Sequence, residues 1–180
     1  MKDKVAQIFK NIELADFENG LPADLVDFPA ETVELLKEAH LKITAAESLT
    51  AGMFQATIAT VPGASNVFDG GFVTYADDVK VKLLGMNPDL IEQYTVVSGP
   101  VAQAMAELSA KQLQADVGVG FTGVAGPDPL EGNPVGTVFI GAHNNQNHQE
   151  IVKEFHFKGS RQAIRLKSVI CGFALVQEIL

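Results

Sequence analysis

The chain has 180 residues, 47% of them hydrophobic, with 13 Lys plus Arg against 22 Asp plus Glu and a formal net charge of −9, a composition and length that predict about one globular domain. The acidic balance excludes nonspecific binding to nucleic acid or anionic membranes, and the single Cys excludes an intrachain disulfide and a multi-thiolate metal site. No apolar run approaches the roughly 20 residues of a membrane span, and Met1-Lys2-Asp3-Lys4 begins no signal-peptide h-region, so a cytoplasmic chain is expected.

Val5, Ile8, Phe9 and Ile12 recur at helical spacing before a breaker at Asn19-Gly20-Leu21-Pro22. Residues 1–28 are therefore expected as an N-terminal arm or helix ahead of a domain over 29–180, with a first helix packed on the core as the alternative. A helix over 30–40 carries Val33, Leu36 and His40 on one side, and Ile43 to Ala46 is a short strand running into Glu47-Ser48. Phe54, Ile58 and Val61 mark the next helix, stopped by Pro62-Gly63. Gly70 to Tyr75 reads as a strand, and Asp77 to Leu84 as a helix closed by Gly85. Ser98 is the expected N-cap of a helix bearing Val101, Met105 and Leu108. Val117, Val119 and Phe121 alternate with Gly118 and Gly120, a strand that lets something approach its backbone closely. After a loop from Thr122 to Pro134, Val135–Gly141 and Ile151–Phe157 form a hairpin around a polar stretch from His143 to His148. A last helix from Ser160 carries Leu166, Val169, Ile170, Phe173, Val176 and Leu180. Alternating helices and strands with a late hairpin predict a three-layer α/β/α fold with a mixed sheet.

Three segments carry residue types suited to chemistry. In Ala45-Ala46-Glu47-Ser48-Leu49-Thr50-Ala51-Gly52 a small-residue strand turns at Ser48 into a helix, where N-terminal amides can stabilise an oxyanion or hold a phosphate. A plain N-cap is the competing reading for Ser48, since a nucleophile also needs an activating base. Tyr75 at a strand end and Lys80 about one turn later can face the sheet edge where open α/β folds place ligands. A desolvated lysine loses charge and accepts a proton; the competing reading is a solvated one. The loop Thr122-Gly123-Val124-Ala125-Gly126-Pro127 has the small residues of an anion nest. Gly118 to Gly123 also matches GxGxxG, but the glycines lie inside a strand, Pro127 and Pro129 exclude a helix directly behind, and Gly141-Ala142 stand where a ribose-reading acid belongs. His143 and His148 fall in the hairpin, no HExxH or calcium loop occurs, and Cys171 reads as a buried, inert thiol. Arg161 and Arg165, one turn apart, either reach a phosphate or are solvated.

Ala46-Glu47-Ser48-Leu49-Thr50-Ala51-Gly52, Gly70 to Tyr75, Lys80 to Gly85, Val97-Ser98, Phe121 to Pro127 and Pro134 to Val138 together resemble the CinA C-terminal domain family, over roughly residues 30–180. Members that this chain resembles are nicotinamide-nucleotide amidases, which hydrolyse nicotinamide mononucleotide to nicotinate mononucleotide and ammonia. The resemblance implies that Ser48 is the nucleophile, that Tyr75 and Lys80 activate it, and that amides around Thr50 to Gly52 hold the oxyanion. It implies a substrate loop at Thr122, Gly123, Ala125 and Gly126, and Arg161 or Arg165 on the phosphate. No metal or cofactor is required, the partner is the small nucleotide substrate, and a homo-oligomer is expected. The family pattern has Glu-Ser-Cys-Thr-Gly-Gly where Leu49 and Ala51 intervene here, Tyr-Ser-Asn where Tyr75-Ala76-Asp77 stands, and further glycines where Asp128-Pro129 stands. Those departures keep a second function in view: a catalytically weak or inactive nucleotide-binding, regulatory protein linked to competence or the DNA-damage response.

Overall fold

The computed structural model describes residues 2–180, with side chains described for all of these except 2–4, 13 and 14. Met1, the first residue of the expected arm, lies outside the described residues. Five strands form one sheet in the order β2-β1-β3-β4-β5, with β1 Ile43–Glu47, β2 Phe72–Val73, β3 Val117–Gly123, β4 Thr137–Asn144 and β5 Gln149–His156. β1 pairs parallel with β2 and β3, while β3, β4 and β5 pair antiparallel, giving the mixed sheet that the pattern predicts.

Helices cover both faces. α1 Lys2–Leu14, α2 Phe28–Glu38, α3 Met53–Ala59 and α7 Arg161–Ile179 share one apolar core with Val117, Val119 and Phe121 of β3. α4 Asp77–Leu84, α5 Pro88–Tyr94 and α6 Gly99–Leu113 build a second cluster on the other face. Because side chains alternate along a strand, Gly118 and Gly120 of β3 face α6. A Cβ on Gly118 would lie 2.0 Å from the Ala106 carbonyl oxygen, and one on Gly120 2.2 Å from that of Ala102. The partner that the Gly118/Gly120 alternation anticipates is thus α6, packed backbone against backbone. On the opposite face Phe54, Phe121 and Phe173 meet with ring centroids 4.4–5.0 Å apart.

The first helix belongs to this core: Val5, Ile8, Ile12 and Phe17 are buried, and α1 packs on α7. Several boundaries differ from the sequence expectation. The strand expected over Gly70–Tyr75 shrinks to Phe72–Val73, because its partner β1 ends at Glu47, opposite Val73. β4 starts at Thr137 rather than Val135, since Gly136 is still turning and donates its N–H to the Val124 carbonyl. His40 stands beyond the end of α2 at φ 55, exposed, not on its apolar side. α5 is an additional helix, started by Asn87, whose side chain accepts the Asp89 N–H, followed by Pro88 in the first turn. Ser98 occupies the N-cap position of α6, but its hydroxyl donates to the Thr95 carbonyl instead.

Candidate active site

The C-terminal ends of β1 and β3 lie side by side in parallel, and the chain leaves both at the same edge of the sheet, the position where open α/β sheets take ligands. A cavity of about 370 Å³ opens there. Ser48, immediately after β1, lines it together with Tyr75, Asp77 and Lys80 from the β2–α4 segment, Thr122 to Glu131 from the end of β3 and the loop behind it, and Arg161 at the start of α7.

Ser48 is not a helix cap. α3 begins five residues later, at Met53, with Gly52 in the left-handed region (φ 92) at its N-cap position. The cap comes from Glu47, whose fully buried carboxylate accepts the N–H groups of Gly52, Phe54 and Gln55 at 2.9, 3.2 and 2.9 Å and the Gln55 side-chain amide at 3.0 Å. The helix amides that sequence spacing placed around Ser48 therefore converge one residue earlier. The Ser48 hydroxyl makes no hydrogen bond among the described residues, while its own N–H is pinned to the Phe121 carbonyl at 3.0 Å, fixing the turn against β3. Glu47 is the residue whose role sequence reasoning missed. Its signal was an acid closing a strand of small residues, where a carboxylate has no apolar reason to be buried.

Lys80 is completely buried, and among the described residues its ammonium makes one polar contact, 3.5 Å to the exposed Asp77 carboxylate. Burial pushes its pKa below the ordinary lysine value, against an opposing pull from Asp77 and Glu131. A lysine in this state holds a proton weakly, which suits a group that must take one from a serine. Tyr75 is 56% exposed, and its hydroxyl accepts Arg161 Nη2 at 2.8 Å. The other terminal nitrogen of Arg161 donates to the Gly126 carbonyl, so one guanidinium ties the tyrosine to the glycine loop.

The remaining residues singled out from sequence divide. Thr122, Gly123, Ala125 and Gly126 line the cavity, although the Thr122 hydroxyl is spent on the Val96 carbonyl at 2.7 Å. Thr50, Gly52 and Arg165 do not line it. The Gly52 N–H is bound to Glu47, and Thr50 is buried with an unpartnered hydroxyl. Arg165 supports the Ser48 turn from behind, donating Nε to the Leu49 carbonyl at 3.0 Å and Nη2 to that of Thr50 at 2.8 Å. Among the described residues no group of three or more metal-ligating side chains gathers, and no helix is long and apolar enough to cross a membrane.

A family model of the CinA C-terminal domain matches residues 26–180. A competence-damage inducible protein of Limosilactobacillus reuteri (strain DSM 20016) is 52% identical over 145 residues, which is 80% of this chain and 35% of that protein. One from Streptococcus pneumoniae (strain Hungary19A-6) is 44% identical over 174 residues, 97% of this chain and 41% of the relative. The chain thus spans 35–41% of the length of these curated relatives. Among solved structures, competence/damage inducible protein CihA from Agrobacterium tumefaciens superposes with TM-score 0.83 at 27% identity, covering 88% of this chain and 97% of that one. A CinA superfamily protein from Escherichia coli gives 0.83 at 26% identity, with 92% and 99% covered.

Proposed function

We propose that this chain, which belongs to the CinA C-terminal domain family, is a serine amidohydrolase that converts nicotinamide mononucleotide to nicotinate mononucleotide and ammonia. The observation that carries this reading is the pairing, in one cavity, of a serine hydroxyl without a hydrogen-bond partner and a fully buried lysine with a single weak contact. In this reaction the Ser48 oxygen attacks the carboxamide carbon while neutral Lys80, with Tyr75 lining the same cavity, takes the hydroxyl proton. The developing oxyanion meets the N–H of Leu49, a residue that lines the same cavity and whose N–H makes no hydrogen bond among the described residues. Collapse of the tetrahedral adduct breaks the C–N bond, and Lys80 returns its proton to the departing nitrogen as ammonia. Water then attacks the acyl ester and gives a proton to Lys80, which passes it to the departing Ser48 oxygen and is neutral again. The acid product gives its remaining proton to the released ammonia and leaves as a carboxylate.

Arg161 fits the phosphate end. It stands exposed at the rim, and its present acceptors, the Tyr75 hydroxyl and the Gly126 carbonyl, are neutral oxygens that a phosphate outcompetes through charge-assisted bonding. Arg165, committed to the Leu49 and Thr50 carbonyls, is the positioning partner in this scheme. The test is a product assay: the purified protein with nicotinamide mononucleotide releases ammonia and nicotinate mononucleotide in equal amounts. Nucleotide binding without either product would instead favour the regulatory reading, for which Leu49, Ala51 and Asp128 are the motivating residues.

A further inference from the structure

Glu131 lines the cavity, and the reaction above does not use it. Leu130 and Asn133 exchange backbone hydrogen bonds of 3.1 and 2.8 Å, closing a two-residue turn with Glu131 at φ 53 and Gly132 at φ 80. Positive φ at both central positions is the type I′ pattern, which favours Asn and Gly and strains a longer side chain. The turn is anchored: Glu131 Oε2 accepts the Val97 N–H at 3.2 Å, and the Asn133 side chain donates to the Val97 carbonyl at 3.4 Å. The second Glu131 oxygen makes no hydrogen bond among the described residues. Glu131 and Lys80 line the same cavity, so the carboxylate shares that space with the group that serves the reacting carbon.

Taking the amidase reading as premise, we propose that Glu131 is a specificity residue whose fixed carboxylate selects a carboxamide carried on a positively charged aromatic ring over the same carboxamide on a neutral ring. The geometry requires little else. The carboxamide carbon must reach Ser48 in the cavity that Glu131 also lines, and the ring is one bond from that carbon. A permanent ring cation is then attracted to a carboxylate held in a concave site, while a neutral ring of the same size gains nothing from it. Lys80 acts in its neutral form, so it does not repel the ring at the moment of attack. Asp128, on the same loop, and Asp77 add further negative charge to the cavity wall.

Nicotinamide mononucleotide and its reduced dihydropyridine form share the ribose phosphate and differ in ring charge. Calorimetric titration of each into the Ser48→Ala protein reads affinity without turnover. The oxidised form is expected to bind about tenfold more tightly, and Glu131→Gln in the same background to shrink the gap to about twofold by weakening the oxidised form alone. The Gln oxygen still accepts the Val97 N–H; where that variant does not fold, Glu131→Asn, suited to the left-handed turn and uncharged, replaces it. Equal affinities in the parent background, or an undiminished gap in the Glu131 variants, would overturn the specificity role and leave the amidase reading standing. Binding of neither form to protein with intact circular dichroism would overturn the nucleotide reading and this inference together.

Discussion

Lys80 concentrates the chemistry at the scale of a single residue. An ammonium with no exposed surface and one 3.5 Å contact is costly to keep charged, and burial lowers its pKa from the ordinary lysine value. In the proposed reaction Lys80 must be neutral to accept the Ser48 proton, so kcat/KM should rise as pH rises through this lowered pKa. Asp77 holds the proton on by attraction; Asp77→Asn removes that pull and should move the acid limb of the pH–rate profile to lower pH. A limb that stays put or moves upward would contradict the assignment. Stability follows the same linkage. Between the lowered folded pKa and the ordinary lysine value, the unfolded chain binds more protons at Lys80 than the folded one, so stability contributed by this group rises with pH across that window.

At the scale of an element, α3 is a seven-residue helix that has no cap of its own, since Gly52 carries no side chain. Glu47 supplies it from the neighbouring strand end with four hydrogen bonds, and by doing so fixes the turn that displays Ser48. Glu47→Gln turns a four-bond anionic acceptor into a neutral amide whose NH₂ faces donors. A loss of about 2 kcal/mol is expected, with a drop in kcat. Urea denaturation and turnover measured together check this; an unchanged midpoint with full turnover would show that Glu47 does not hold the site.

The elements were legible in proportion to how local their determinants are. The Val117/Gly118/Val119/Gly120/Phe121 alternation encodes a strand with a bulky face and a bare face, and α7 and α6 occupy them. Asn87-Pro88-Asp89 contains a cap and a first-turn proline that mark α5, but the short apolar content of 88–94 hides the helix from periodicity. The Glu47 cap escapes because its donors lie five to eight positions onward across a turn, where no repeat period connects them. Arg161 and Arg165 are equivalent by spacing. Only the turn of α7 separates them, sending one guanidinium to Tyr75 and Gly126 and the other to the Leu49 and Thr50 carbonyls.

Across the whole molecule, the cavity depends on parts far apart in sequence. Ser48 follows β1, Lys80 belongs to α4, the 122–131 loop follows β3, and Arg161 opens α7, so the site exists only when both faces of the sheet are covered. On the proposed reading, that arrangement lets an acidic chain take an anionic nucleotide: Arg161 offers a local cation at the rim, while Asp77, Asp128 and Glu131 place negative charge elsewhere around the cavity. The central claim is that Ser48 attacks the amide. It is tested most directly by the rate of ammonia release from nicotinamide mononucleotide by Ser48→Ala, compared with the unsubstituted protein at matched circular dichroism. The account predicts a fall of at least about a thousandfold; release within about tenfold of the parent rate would contradict it.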